Sequence, residues 1–173
     1  MPVLSHTERD AFLQEPGVLM RVAVVRENGA PLVTPIWFLF EVTDEGEFVY
    51  FTPREKSEWF SCLRRDPRVA LCIDEQPLPY RKVIAEGEAE LVHDVGNDDQ
   101  WRDLYRRIAE RYVPPEGAAA YIQNTIEQPR GLYRLNLARA KVKTWRMPLG
   151  DEAAEGIWHD RYYVPGSWGS RSN

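Results

Sequence analysis

Leu32 to Val42 reads LVTPIWFLFEV; after a turn at 43–47 come FVYFTP (Phe48 to Pro53), SEWFSCLRR (Ser57 to Arg65), Asp66-Pro67 and RVALCI (Arg68 to Ile73). The runs rich in β-branched and aromatic residues read as strands, and the amphipathic segment between them as a short helix. Two strands, a cap, a helix and a return strand thus occupy about forty residues, leaving little for a purely solvent-facing surface. Pro35 lies inside the first strand. Proline donates no ladder hydrogen bond, so this position is an edge, a bulge or a place where something other than a strand lies alongside. The segment before the helix collects Thr52, Arg54, Lys56 and Ser57. Hydroxyls and cations beside a helix N-terminus suit an anionic group, because the first amides are unpaired and the helix dipole is positive there.

Working outward, Val18 to Arg26 reads as a strand, followed by Asn28-Gly29, a strong two-residue hairpin signal. Upstream, Ser5 or Thr7 can cap a helix that carries Phe12 and Leu13 inward and stops at Pro16-Gly17. Downstream, Val69 to Ile73 is five consecutive apolar residues, expected to be buried on both faces. Lys82 to Val92 reads as one long strand bent or bulged at Gly87. Trp101, Leu104, Tyr105, Ile108, Ala109 and Tyr112 form one helical stripe, with Arg102, Arg106, Arg107 and Arg111 as the solvated face. A second helix spans 116–128, and 131–145 is a strand pair or one long strand. The tally is about six strands with helices inserted between them, which excludes a doubly wound parallel sheet. A mainly β, α+β chain with a small antiparallel split barrel and helical caps is expected, since closure hides strand edges. Residues 1–147 form a single domain in this reading, and 148–173 an irregular tail.

A chain of 173 residues can bury one good core. Its net charge of −5 argues against general binding to nucleic acid or anionic membranes. No apolar run reaches the length of a membrane span. The opening residues lack a basic region and an apolar core, so a cytoplasmic location is expected. Cys62 and Cys72 read as reduced core thiols, and neither Cys-x-x-Cys nor His-x-x-x-His is present, so no metal site is expected. Of 22 cations, 18 are Arg and 4 are Lys, which makes each lysine worth inspecting. No nucleophile elbow, P-loop or dinucleotide fingerprint occurs.

Val33 to Phe38, Tyr50-Phe51-Thr52, Leu63 to Leu71 and Val83 to Leu91, in that order, resemble the pyridoxamine 5'-phosphate oxidase-like split β-barrel family of flavin and deazaflavin proteins. The resemblance covers about residues 15–147. It implies an oxidoreductase that binds FMN, or alternatively the deazaflavin F420, and works on a small organic substrate as a homodimer with cofactor sites at the interface. Thr34, Pro35, Ile36 and Trp37 would lie against the ring. Phe51, Thr52, Arg54, Lys56, Ser57 and Trp59 would surround the phosphate. Arg81 and Lys82 would approach from the side, and Trp145 would come from the partner subunit.

Each assignment has a plainer counterpart. Thr52 ends a strand, Ser57 caps a helix, Lys56 and Lys82 are solvated, and Trp37 and Trp59 pack in a core or dimer contact. His93 and His159 read as surface residues, or as an axial ligand if the pocket is built for haem, and a non-catalytic flavin- or haem-binding protein is a further alternative. One departure stands out: many relatives carry Lys or Arg-Lys where this chain has Glu58-Trp59, and an indole offers one neutral donor in place of a charge-assisted one. The C-terminal Trp/Arg pattern of the true oxidases is not matched, so the substrate is expected to differ from pyridoxamine phosphate. The aromatic and basic stretch 156–170 reads as a lid over a planar substrate or as dimer packing.

Overall fold

The computed structural model describes residues 2–152. The candidate lid at 156–170 and His159 therefore lie outside the described residues. The described chain is an α+β fold with two antiparallel sheets, in the order β1 (Met20–Val25), β2 (Pro31–Ile36), β3 (Leu39–Thr43), β4 (Gly46–Phe51), β5 (Arg68–Asp74), β6 (Lys82–Glu88), β7 (Glu90–His93), β8 (Leu132–Asn136) and β9 (Lys141–Trp145). Helix α1 (His6–Gln14) precedes β1, and α2 (Glu58–Arg65) links β4 to β5. Helices α3 (Arg102–Glu110) and α4 (Pro115–Asn124) lie between β7 and β8. One sheet runs β2-β1-β5-β6-β9, the other β3-β4-β8-β7.

Nine strands stand where about six were expected because the stretches at 32–42 and 82–92 each break and change sheets, and 131–145 divides into two strands rather than running as one. The chain leaves the larger sheet at Trp37-Phe38, crosses again at Ala89, and returns over 137–140. Crossing takes backbone groups out of a ladder, and they need other partners. At the first crossing the Tyr112 hydroxyl accepts from the Phe38 amide at 3.1 Å and donates to the Val18 carbonyl at 2.8 Å. At the second, Gly87 permits close approach: a Cβ there would stand 3.0 Å from Leu135 Cδ1. Pro35 falls on β2, the edge strand of the larger sheet, opposite Arg21, as an edge proline should.

Side-chain alternation sorts the residues into two cores. Val49, Phe51, Phe40, Tyr133 and Leu135 face the barrel interior together with Phe12, Leu13, Phe38 and Leu63. Phe48, Tyr50, Leu39 and Leu132, from the opposite faces of the same strands, pack under Trp101, Tyr105, Ile108 and Ile122 of the helical cap. The strand covered on both faces is therefore β4, from Phe48 to Phe51. β5, expected to be so, instead alternates buried Val69, Leu71 and Ile73 with half-exposed Ala70 and Cys72, because only its inward face meets the barrel core.

Local rules account for the ends. Ser5 caps α1 in a reciprocal capping box with Glu8. At the Asn28-Gly29 turn, Arg26 N bonds Ala30 O and Gly29 adopts φ +81°, so the loop is one residue longer than the two-residue hairpin the dipeptide suggests. The helical stripe that begins at Trp101 is preceded by a 3-10 turn over Asp98–Trp101 before α3 begins. Arg111 is not simply solvated: its guanidinium donates to the carbonyls of Leu13, Gln14 and Glu15 and lies 4.7 Å from the Phe38 ring centroid. It thereby ties α1 to the end of α3. Both cysteines are free, Cys62 buried and Cys72 half-exposed. No helix among the described residues is long and apolar enough to cross a membrane.

Candidate functional site

A cleft of about 350 Å³ opens between the edge strand β2 and the helical cap. Its first wall is Thr34, Pro35, Ile36 and Trp37. Its floor is Thr52, Arg54, Ser57 and Trp59 from the segment between β4 and α2 and the first turn of α2. Its second wall is Tyr105, Tyr121 and Arg130. Eight of the thirteen residues singled out from the sequence thus surround one cavity. No acidic side chain lines it, although the chain as a whole carries −5.

The walls are set by the fold. Trp37 sits at the β2–β3 crossing, one face stacked on Tyr112 at 5.0 Å and 3°. Trp59 does not fill the cleft. Its ring leans on Phe51 at 6.2 Å, so the indole forms part of the wall. The Ser57 hydroxyl donates to the Arg54 carbonyl at 2.7 Å and accepts from the Phe60 amide at 3.3 Å. It caps α2, and its proton is committed. What this turn offers a ligand is the amides of Glu58 and Trp59, which precede any intrahelical acceptor.

The segment before β8 extends the β4–β8 ladder. Glu55 N bonds Pro129 O, Gly131 N bonds Pro53 O, and Arg54 pairs with Arg130 in an antiparallel bridge. This register brings two arginines side by side. Tyr121 of α4 receives both: its hydroxyl oxygen accepts from Arg54 at 3.2 Å and from Arg130 at 3.3 Å. Burial pushes the Tyr121 phenol up, but the neighbouring Tyr105 hydroxyl and the two guanidinium charges outweigh it, and the net direction is downward. Burial drives Tyr105 the other way, well above the ordinary phenol range. Its hydroxyl is shielded from water and has no well-formed hydrogen bond among the described residues.

Five of the sequence candidates lie elsewhere. Phe51 is fully buried in the barrel core, because its parity on β4 turns it inward. Lys56 lines a neighbouring cleft of about 330 Å³ beside Glu127 and Gln128. Lys82 and Trp145 are register partners on β6 and β9, the ammonium 4.0 Å from the indole centroid. Arg81 is occupied within its own chain: it donates to both Glu15 oxygens at 2.7 and 2.8 Å and to both Glu75 oxygens at 2.8 and 2.6 Å. Two carboxylates hold this guanidinium, which leaves it poorly placed to bind a phosphate.

The Glu75 carboxyl is in turn held below its ordinary value of 4.5 by the Arg81 hydrogen bonds, against the opposing effect of burial. A depressed folded-state value means that the pair stabilises fully above the ordinary carboxyl range and fades as pH falls through the folded value. Glu75→Gln should therefore flatten the acid limb of a plot of urea midpoint against pH below about 4.5; an unchanged limb would remove Glu75 from the account.

Sequence reasoning missed Tyr105, Tyr121 and Arg130. Tyr105 was legible only as part of an apolar helical stripe. Arg130 is one of 18 arginines, and its position between Pro129 and Gly131 was the sole hint that it enters a strand from a turn.

Comparison with known proteins follows the same outline. The pyridoxamine 5'-phosphate oxidase family model matches residues 5–147. No curated protein matches in sequence. Among solved structures, a conserved hypothetical protein of Mycobacterium tuberculosis superposes with TM-score 0.61 at 22% identity, covering 87% of this chain and 94% of its own. An FAD and haem binding protein of Mycobacterium smegmatis gives TM-score 0.60 at 21% identity, covering 88% and 77%. An F420 reductase gives 0.53 at 24%, covering 75% and 93%. At such identities these likenesses concern the fold. The two-sheet barrel, the order of its strands' sequence motifs and a family match across most of the described residues agree: the chain belongs to the pyridoxamine 5'-phosphate oxidase family.

Proposed function

We propose that the cleft holds a flavin-type cofactor, FMN in the first instance, and that the protein is an oxidoreductase acting on a small organic substrate. The observation that carries this reading is a cleft of ligand size, bounded by an edge strand and two arginines, without a carboxylate. The ring would rest along Thr34 to Trp37, where an edge strand has backbone groups with no neighbouring strand. The anionic tail would meet the Glu58 and Trp59 amides and Arg54. Bound there, the cofactor supplies hydride or electron transfer. The chain's own residues bind and orient it, and Trp59 and Trp37 shield it from water.

F420 is the second reading. The neutral Trp59 in place of a lysine weakens the case for a compact FMN phosphate site, and an F420 reductase shares the fold. A haem would find no His, Cys or Met among the cleft residues, and Tyr121 would be its oxygen donor. An interface site would need two subunits to pair, and an exposed apolar residue on the β2 edge, Val33 at 58% exposure, supports that reading. The family resemblance implies that Trp145 of a partner copy would take part in such a shared site.

The test is titration of the purified full chain with FMN, riboflavin, F420 and haem, followed by absorbance and flavin fluorescence, with light scattering for the oligomeric state. Saturable uptake of FMN by a dimer is expected. A protein that takes up neither flavin nor deazaflavin overturns the enzyme reading, and a stable monomer overturns the interface site.

A further inference from the structure

Arg130 is the best-hidden cation at the cleft. It is only 5% exposed, and the Asp98 carboxylate accepts from its backbone amide at 3.0 Å, yet among the described residues no carboxylate lies within salt-bridge distance of its guanidinium. Elsewhere in the chain, ion pairs are the rule: Arg9, Arg21, Arg26, Arg64, Arg68 and Arg81 each hold an Asp or Glu. A buried charge without a counter-ion is costly unless something else neutralises it. The side-chain partners present are soft ones. The guanidinium lies 4.7 Å from the Tyr105 ring centroid and 5.9 Å from that of Tyr121, and gives one hydrogen bond, to the Tyr121 hydroxyl. A guanidinium has five N–H donors in a planar fork, so most of its capacity is unspent.

The neighbours point the same way. Arg54 also donates to the Tyr121 oxygen and also has no carboxylate partner among the described residues. With its oxygen accepting from two cations, the Tyr121 hydroxyl keeps its own proton to give. The buried Tyr105 hydroxyl beside it has no well-formed hydrogen bond among the described residues. Two guanidinium groups and a phenol donor therefore converge on one wall of a cleft that contains no acid.

We propose that Arg130, Arg54 and Tyr121 form an oxyanion subsite that takes a phosphate or carboxylate group. Planar guanidinium forks bind such groups bidentately, and the phenol adds a third donor. The subsite rests on the reading of this cleft as a ligand site and deepens it. The oxyanion is either the phosphate of the cofactor or an acidic group of a second ligand, so that the substrate is itself an anion.

The experiment uses the full chain, Arg130→Gln, and Tyr121→Phe as a variant that removes only the hydroxyl. Thermal melting is followed against inorganic phosphate and against acetate, each at constant ionic strength with chloride as the balance. FMN and riboflavin are titrated in parallel. The wild type should show saturable stabilisation by phosphate or acetate, with apparent affinity about ten- to a hundredfold weaker in Arg130→Gln and reduced in Tyr121→Phe. If Arg130→Gln weakens FMN but not riboflavin, the oxyanion is the cofactor's phosphate. If it leaves both unchanged while the phosphate or acetate effect disappears, the oxyanion belongs to the second ligand. The subsite is overturned if the wild type shows no saturable anion effect and its FMN affinity matches that of both variants, or if the anion effect is equal in all three proteins. Should Arg130→Gln fail to fold, Tyr121→Phe decides alone. Failure to bind any flavin while the anion effect persists would sink the cofactor reading and leave the subsite standing.

Discussion

Phe51→Ala is expected to lower stability by about 3–5 kcal/mol, the usual cost of emptying a buried aromatic site. Phe51 is fully buried, and its ring lies 6.1 Å from Tyr133 at 13° and 6.2 Å from Trp59 at 29°. It bridges the barrel core and the floor of the cleft. Single domains keep only about 5–15 kcal/mol in total, so this is a large share. The melting temperature should fall by roughly 10 °C, and urea unfolding should show a lower midpoint with an unchanged slope. A loss below about 1 kcal/mol would mean that the site collapses freely, contrary to the packing described. The variant should also loosen Trp59. Any weakening of ligand binding would then be indirect, since Phe51 itself does not line the cleft.

Trp59→Lys should strengthen FMN binding by about ten- to a hundredfold while leaving riboflavin unchanged or weaker, as a titration of both would show. Position 59 is the second residue of α2 and lines the cleft. The resemblance places a lysine there in many relatives. A charged hydrogen bond to phosphate contributes about 1.5–3 kcal/mol, whereas the indole gives one neutral donor. Placing a cation at a helix N-terminus costs about 0.3–1 kcal/mol, and the stack on Phe51 is lost, but both effects are smaller than the gain. Equal affinities for FMN in wild type and variant would show that the tail of the ligand is not near α2. The Arg130 wall would then be the place to look for it.

The two substitutions expose how differently the chain's features could be read. Pro35 narrowed its strand to an edge, a bulge or a place beside something other than a strand, because a missing N–H is a property of the residue itself, and the fold places it on an edge. Ser5 and Ser57 announced helix starts for the same reason, and both cap as their chemistry requires. Trp59 departs from the charge pattern that the family resemblance implies, and its indole forms part of the cleft wall. The family resemblance implies a cleft position for Phe51. Strand parity decided otherwise: Phe48 and Tyr50 face the helices, and Val49 and Phe51 face the barrel. That parity was readable, but which side of β4 would carry the cleft was not. Arg81 and Lys82 are placed at the side of the cofactor by the family resemblance alone. Glu15, 66 residues away, and Trp145 on β9 claim them in the folded chain.

By itself the sequence determined the class of the fold and the sites of most turns and caps, which follow from local backbone preferences and from apolar periodicity acting over a few residues. Pro35 narrowed β2 to an edge, a bulge or a strand beside something else, and the β2 side of the cleft came from the family resemblance. Only the tertiary structure decided that the chain crosses between sheets near 37–38, 89 and 137–140, and that Arg54, Tyr121 and Arg130 meet. Barrel closure selects the crossings, because the bend must fall where both inward faces fill one core. The meeting of the two arginines depends on a ladder between segments some 76 positions apart (54 and 130). No local rule registers a contact whose existence depends on how the rest of the barrel has closed.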